Sequence, residues 1–196
     1  LLNNLVVNLF FNFYIWLMFR KLSLLITFIV LTCTSAYCAA GAQPDTGNEG
    51  KASKYEKGHE LVISGKYLEK KAAKSLKKGK TEKAEKSIAK AKVKYEKAFK
   101  ILLEANKEKP NNPDTLNYLG FTSRKLGNFE TAEEYYLAGL KIKPNHKRIN
   151  QYLGELYLNT NRKDQAVERL QLLQSCNCKE YDQLKDLIDG KSVSKY

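Results

Sequence analysis

Apolar and small residues recur along this chain on a helical beat, and the beat repeats as a block. Tyr118-Leu119-Gly120 returns as Tyr152-Leu153-Gly154, 34 residues later. The same offset carries Ala132 onto Ala166, Tyr136 onto Leu170, and Leu126-Gly127-Asn128 onto Thr160-Asn161-Arg162. Block repetition at this period predicts helical hairpins stacked side by side, each too small to bury its own apolar face alone. Gly120, Gly154, Ala132 and Ala166 mark the close crossings of paired helices. A larger side chain there forces the helices apart at a cost of roughly 1–3 kcal/mol. Tyr118, Tyr135, Tyr136 and Tyr152 fill the space between hairpins.

Turn chemistry sets the boundaries. Asn112 caps a helix with Pro113 at its first position. That helix ends at Leu126, and Gly127 supplies the left-handed turn. Asn128 caps the next helix, which runs to about Lys143 before Pro144. Asn145 starts the third pair, and Asn161 takes the place of Gly127, as an asparagine can. Two repeats thus fill residues 111–174. In 175–196, Tyr181, Leu184, Leu187 and Ile188 make one apolar face on a last helix, from about Glu180 to Asp189. An array end needs such a cap.

A degenerate first unit covers residues 54–110. Tyr55, Gly58, Leu61 and Val62 share a helical face, and Gly65-Lys66-Tyr67 reads as the hairpin turn. Tyr95, Ala98, Leu102, Ala105 and Pro110 reproduce the spacing of Phe129, Ala132, Tyr136, Gly139 and Pro144 at the same 34-residue offset. The second helix is therefore expected over Tyr95 to Lys107, with Leu68 to Lys94 as an insertion or a helical extension. That stretch is rich in Ala, Lys and Glu, all good helix formers. It predicts two helices, or one helix kinked near Gly79, with Thr81 as the cap.

The spacing Leu119-Gly120, Gly127, Ala132, Tyr136, Pro144, then Leu153-Gly154 and Ala166, resembles the tetratricopeptide repeat. With Cys176, Cys178 and the Lys179-Glu180-Tyr181 run before the last helix, the region from Tyr55 to Ile188 resembles a small exported family of proteobacterial repeat proteins. The resemblance implies an all-α array of about two and a half repeats, with a Lys-rich helical insertion and a C-terminal capping helix. It implies a scaffold or adaptor in the cell envelope, with no reaction and no cofactor.

The start of the chain bears on location. Arg20 and Lys21 precede an apolar run from Leu22 to Leu31, and Ala40-Gly41-Ala42 fits a cleavage site, so residues 18–42 read as a secretory signal. A retained membrane anchor is the rival, but a span needs about 20 apolar residues. A lipidated Cys38 is a third reading, weakened by Tyr37 before it. Residues 1–17 read as an upstream extension outside the mature protein; their rival reading is a membrane helix. Residues 43–53, with Gly, Pro, Asp and Asn and few apolar residues, are expected to be a flexible leader. The whole chain carries a formal charge of +13, or +11 once Arg20 and Lys21 are removed. Export makes the expected location periplasmic or secreted, and membrane-anchored if residues 1–31 are retained. No nucleic-acid partner is expected there; anionic membrane surface, cell-wall polymer or acidic protein patches are the partners that fit, and the Lys-rich stretch reads either as a solvated helical face or as the electrostatic surface that contacts them.

The first helices of such hairpins line a concave side. Its outward positions are expected to be Asp114, Asn117, Phe121, Arg124 and Lys125, then Arg148, Gln151, Glu155, Leu158 and Asn159. Phe121 is the candidate anchor for a protein partner, and Arg124 can hold a carboxylate through two parallel hydrogen bonds. Phe121 and Glu155 stand where a carboxylate-clamp groove would need amides, so that ligand is not expected. Self-association of two copies competes with the ligand-groove reading. Cys176 and Cys178 carry four further readings: a structural disulfide, favoured by an oxidising compartment, a redox-active or partner-bonded pair, a metal site, and two free thiols. His59 and His146 are too far off in sequence to complete a metal site with them. No phosphate loop, nucleophile elbow or His-x-x-x-His pair is present.

Overall fold

In the computed structural model the described residues are 52–192. The expected extension (1–17), the stretch expected to be an export signal (18–42) and most of the expected leader lie outside them. The described residues form seven α-helices and no strand: α1 (Lys54–Leu76), α2 (Thr81–Glu108), α3 (Pro113–Lys125), α4 (Phe129–Ile142), α5 (Lys147–Asn159), α6 (Lys163–Leu173) and α7 (Lys179–Ile188). They pair as hairpins α1/α2, α3/α4 and α5/α6, each packed on the next, with α7 closing the array against α5 and α6.

The first hairpin departs from the sequence expectation. Ser53 caps α1 through a reciprocal box with Glu56, and the helix then runs straight through Gly65-Lys66-Tyr67. The turn comes at Gly79, φ +67°. Gly65 is a packing glycine instead. A Cβ there would strike the ring of Tyr95, which is 1% exposed and lies across that turn of α1. The stretch 68–94 is therefore no separate insertion: it lengthens both helices of one hairpin. Its seam is made of small buried residues, Ala72, Ser75, Ala84, Ser87 and Ala91, which let the two helices approach closely. Thr81 is the first residue of α2 rather than its cap, and Lys80 in the cap position makes no side-chain bond.

Elsewhere local chemistry starts and stops the helices. The Asn112 side chain accepts from the backbone N–H of Asp114 at 2.9 Å and of Thr115 at 3.1 Å, with Pro113 opening α3. Such a cap is worth about 1 kcal/mol. Gly127 turns at φ +87° and Asn161 at φ +59°. Asn128 stands before α4 without bonding through its side chain. The cap of α5 is His146, not Asn145. Its Nδ1 accepts from Ile149 N–H at 3.2 Å, so Nε2 carries the proton and donates to Asp114 Oδ1, also 3.2 Å away. One imidazole thus starts the third hairpin and ties it to the second.

The core runs continuously along the stack. Val62, Leu102, Leu119, Tyr136, Ile149, Leu153, Leu156 and Leu184 have essentially no exposure. Rings link the hairpins: Tyr95 meets Phe121 edge-on at 5.7 Å, and Phe121 meets Tyr152 at 5.2 Å.

Candidate interaction surface

The helices α1, α3 and α5 are the first helices of the three hairpins, and one stripe of each shares a face. On α3 the stripe is Asp114, Asn117, Phe121 and Arg124, with Lys125 beside it. On α5 it is Arg148, Gln151 and Glu155, with Tyr152 adjoining. Spacing of three and four residues puts these groups one above another on a helix.

The face is built around two ion pairs and an aromatic floor. Arg124 Nη1 lies 2.8 Å from Glu155 Oε2, with the side chains 1% and 13% exposed. Lys125 Nζ lies 2.9 Å from Glu69 Oε1 on α1. The Gln151 amide donates to Glu155 and to Gln183 of α7, both at 2.9 Å. Lys66 of α1 donates to the Tyr152 hydroxyl at 3.1 Å, and its ammonium sits 5.1 Å from the centre of the Phe121 ring. Arg124 and Lys125 also lie over that ring, at 5.7 and 5.8 Å. Cations are drawn to ring faces, more strongly where water is excluded. Three cations therefore crowd the Phe121 ring, and two of them, Arg124 and Lys125, have a carboxylate partner. At the far end of the face the Tyr118 hydroxyl accepts from Arg148 at 2.8 Å. The Tyr118 ring lies 4.8 Å from that of His59 and 6.1 Å from that of Tyr55.

Burial sets the electrostatics. It lowers the Lys125 ammonium below its ordinary value, with Glu69 pulling the other way. It raises the phenol of Tyr95, reinforced by the charge of Glu69, and raises that of Tyr136. Tyr55 is pushed up to about 12 by partial burial.

Several of the residues expected to face outward do not. Asn117 is 0% exposed, Phe121 3%, Arg124 2% and Gln151 5%. Lys125, Glu155, Leu158 and Asn159 are partly covered, and Leu158 packs against the core. Asp114 and Arg148 remain exposed. The reason is the length of α1 and the position of α7. By running past Gly65, α1 lays Lys66 and Glu69 over α3, and α7 brings Gln183 to Gln151. The carboxylate Arg124 holds is the chain's own Glu155. Lys66, Glu69, Tyr152 and Gln183 were absent from the sequence-based site. Lys66 and Glu69 continue the i, i+3, i+4 rhythm of His59 and Val62, and were hidden only by reading Gly65 as a turn.

Cys176 and Cys178 are joined as a disulfide, with Cα atoms 5.2 Å apart. The bond follows the short 3₁₀ turn Gln174–Cys176 and spans Asn177 at φ +43°, and Cys178 stands at the N-cap position of α7 without a side-chain capping bond. Among the described residues no group of three or more His, Cys, Asp and Glu side chains assembles as a metal site. None of the described helices is long and apolar enough to cross a membrane.

Residues 123–188 match a family model described as tetratricopeptide repeat. The array is tetratricopeptide-repeat-like. The matched segment begins near the end of α3 and runs through α7, so it covers the second hairpin in part and the third hairpin and the cap in full. Among solved structures the chain is similar to the type III secretion translocator chaperone SycD of Yersinia enterocolitica, in an alternative dimer. The identity is 18%, over 65% of this chain and 88% of that one, with a TM-score of 0.44, a likeness too slight to argue from. No curated protein sequence matches the chain.

Proposed function

We propose that this chain is a protein-interaction scaffold without chemistry of its own, and that the face of α1, α3 and α5 takes an acidic segment of a partner protein. One contrast carries the reading. The buried cations of the face, Arg124 and Lys125, each have a carboxylate of the same chain. The exposed ones, Lys66 and Arg148, are held by tyrosine hydroxyls and form no ion pair among the described residues. Holding a cation by a neutral hydroxyl fixes its position and leaves charge to be met from outside, less so at Arg148, which Glu180 of α7 also attracts. Positioned charges of one sign steer an oppositely charged segment and set its register. The repeat match from residue 123 to 188 supports a binding role, since stacked hairpins expose long surfaces used for recognition.

An envelope location rests on the export signal read over residues 18–42, and a bacterial source on the family resemblance. The test is photo-crosslinking in cells from a reactive residue placed at Arg148 or at Lys141, which is exposed on α4. Adducts from 148 that fall when Lys66 is changed to Glu support the face. Equal adducts from both positions, indifferent to Lys66→Glu, overturn it.

A second reading is redox-linked. Cys178 sits at the N-cap of α7, where a helix terminus favours a thiolate, and both cysteines are partly exposed. Reduction would then loosen the start of the helix that closes the array.

A further inference from the structure

The long first hairpin carries most of the protein's charge excess. Residues 66–94 hold twelve lysines against three glutamates, a net +9, whereas residues 95–192 hold a net +2. Two of the three glutamates are engaged, Glu69 with Lys125 and Glu82 with Lys86. Near the tip, Tyr67 and six lysines between Lys70 and Lys83 line a cleft of about 430 Å³. On α1 the exposed stripe is mixed in character. Ile63 and Tyr67, 51% and 66% exposed, stand one turn apart and in line with Lys70, Lys71 and Lys74. Leu76, 51% exposed, ends the helix beside the turn.

We infer that this hairpin docks its tip on an anionic phospholipid surface. The charge alone would suit any polyanion; the kind of charge and its apolar neighbours narrow the choice. All twelve cations are lysines, compact point charges without the planar fork that reads an individual phosphate bidentately. A diffuse field of headgroups asks only for point charge. The cleft offers one aromatic, whereas single-stranded nucleic acid is held by successive stacking rings. Exposed Ile63, Tyr67 and Leu76 beside lysines have the make-up of an interfacial element, with apolar groups entering the headgroup boundary and cations meeting the lipid phosphates. The small-residue seam gives the extension little apolar core, and its reach fits a spacer. Continuing eleven residues beyond Gly65 at the helical rise sets the tip roughly 16 Å further out. This surface is separate from the face of α1, α3 and α5 proposed for a protein partner, and either can stand without the other.

The test uses the full chain and sedimentation with two kinds of vesicle, phosphatidylcholine alone and a two-to-one mixture of phosphatidylcholine with phosphatidylglycerol. Comparing the two on the same chain cancels any lipid-blind contribution from residues 1–51. The proposal expects a preference for the anionic vesicles that falls about a hundredfold or more in the triple variant Lys70→Glu, Lys71→Glu, Lys74→Glu, at roughly 1 kcal/mol per surface lysine. Tyr67→Ala should weaken anionic binding severalfold. All four positions are exposed, and an unchanged circular dichroism spectrum confirms the fold. A triple variant that keeps the preference overturns the proposal. So does Tyr67→Ala binding as the parent does while soluble polyphosphate competes fully, since that combination describes a polyanion site.

Discussion

Leu184 occupies the space that a side chain on Gly154 would need: a Cβ there would stand 2.6 Å from Leu184 Cδ2. In the earlier hairpins the equivalent glycines face their own second helix. A Cβ on Gly120 would meet Tyr136 at 2.5 Å, and one on Gly58 would meet Leu102 at 2.7 Å. Counted by the 34-residue period, Leu170 should stand against Gly154. The last unit instead receives its partner from the cap, so α7 is packed into the array as a substitute for a missing neighbour. Gly154→Ala must push Leu184 aside and should cost about 1–3 kcal/mol. Leu184→Ala should cost about 2–5 kcal/mol. Urea unfolding checks both, and hydrogen exchange should show the loss concentrated in α7.

The Arg124–Glu155 pair makes a stronger prediction. Removing one member of a buried ion pair strands the other and typically costs 3–5 kcal/mol, whereas apolar replacement of both is often neutral. Arg124→Ala alone should therefore unfold the protein well below the parent's midpoint, and Arg124→Met with Glu155→Leu should recover most of the loss. For the same reason a binding defect in Arg124→Ala or Phe121→Ala would report on the fold rather than on a partner.

The 34-residue period was legible because glycine and alanine must recur wherever helices cross closely, and that requirement leaves few alternatives. Asn112-Pro113 and Gly127 marked ends because cap and turn chemistry is local. Gly65 is ambiguous in the sequence because a glycine serves equally at a turn and at a close approach, and only the ring of Tyr95 from another helix decides between them. The cover over the face is illegible in the sequence for a related reason. Whether Phe121 and Arg124 are open depends on what lies across α3, and nothing near them in sequence records that α1 runs on to Glu69.

The tyrosines predict an alkaline weakness. Burial raises the phenols of Tyr55, Tyr95, Tyr118, Tyr135, Tyr136 and Tyr157, that of Tyr55 to about 12. Above about pH 10 the unfolded chain ionises its tyrosines while the native state keeps these protons, so stability falls as pH rises. Lys125 works in the opposite sense, because its lowered ammonium lets the native state release a proton first. One lysine against six phenols leaves the fall dominant. Denaturation midpoints should hold steady up to about pH 9 and drop beyond about pH 10. Tyr136→Phe should make that drop shallower.

Reducing Cys176–Cys178 should have a modest and local effect. A bond across one intervening residue closes a very short loop, worth about 1–2 kcal/mol by loop-closure entropy. Reductant should lower stability by that amount and speed amide exchange at the start of α7, leaving α3 and α4 unchanged. Widespread loss of protection would mean that the bond holds more than the cap.

The central claim is that α1 runs unbroken past Gly65 and so seats its own residues on the second hairpin. A double-mutant cycle on Glu69 and Lys125 tests it most directly. The variants are Glu69→Gln, Lys125→Met and the two together, read by urea unfolding. A continuous α1 holds the two groups 2.9 Å apart and predicts a coupling of about 0.5–3 kcal/mol. Strictly additive effects would mean that Glu69 is not there, and that the hairpin turns at Gly65 after all.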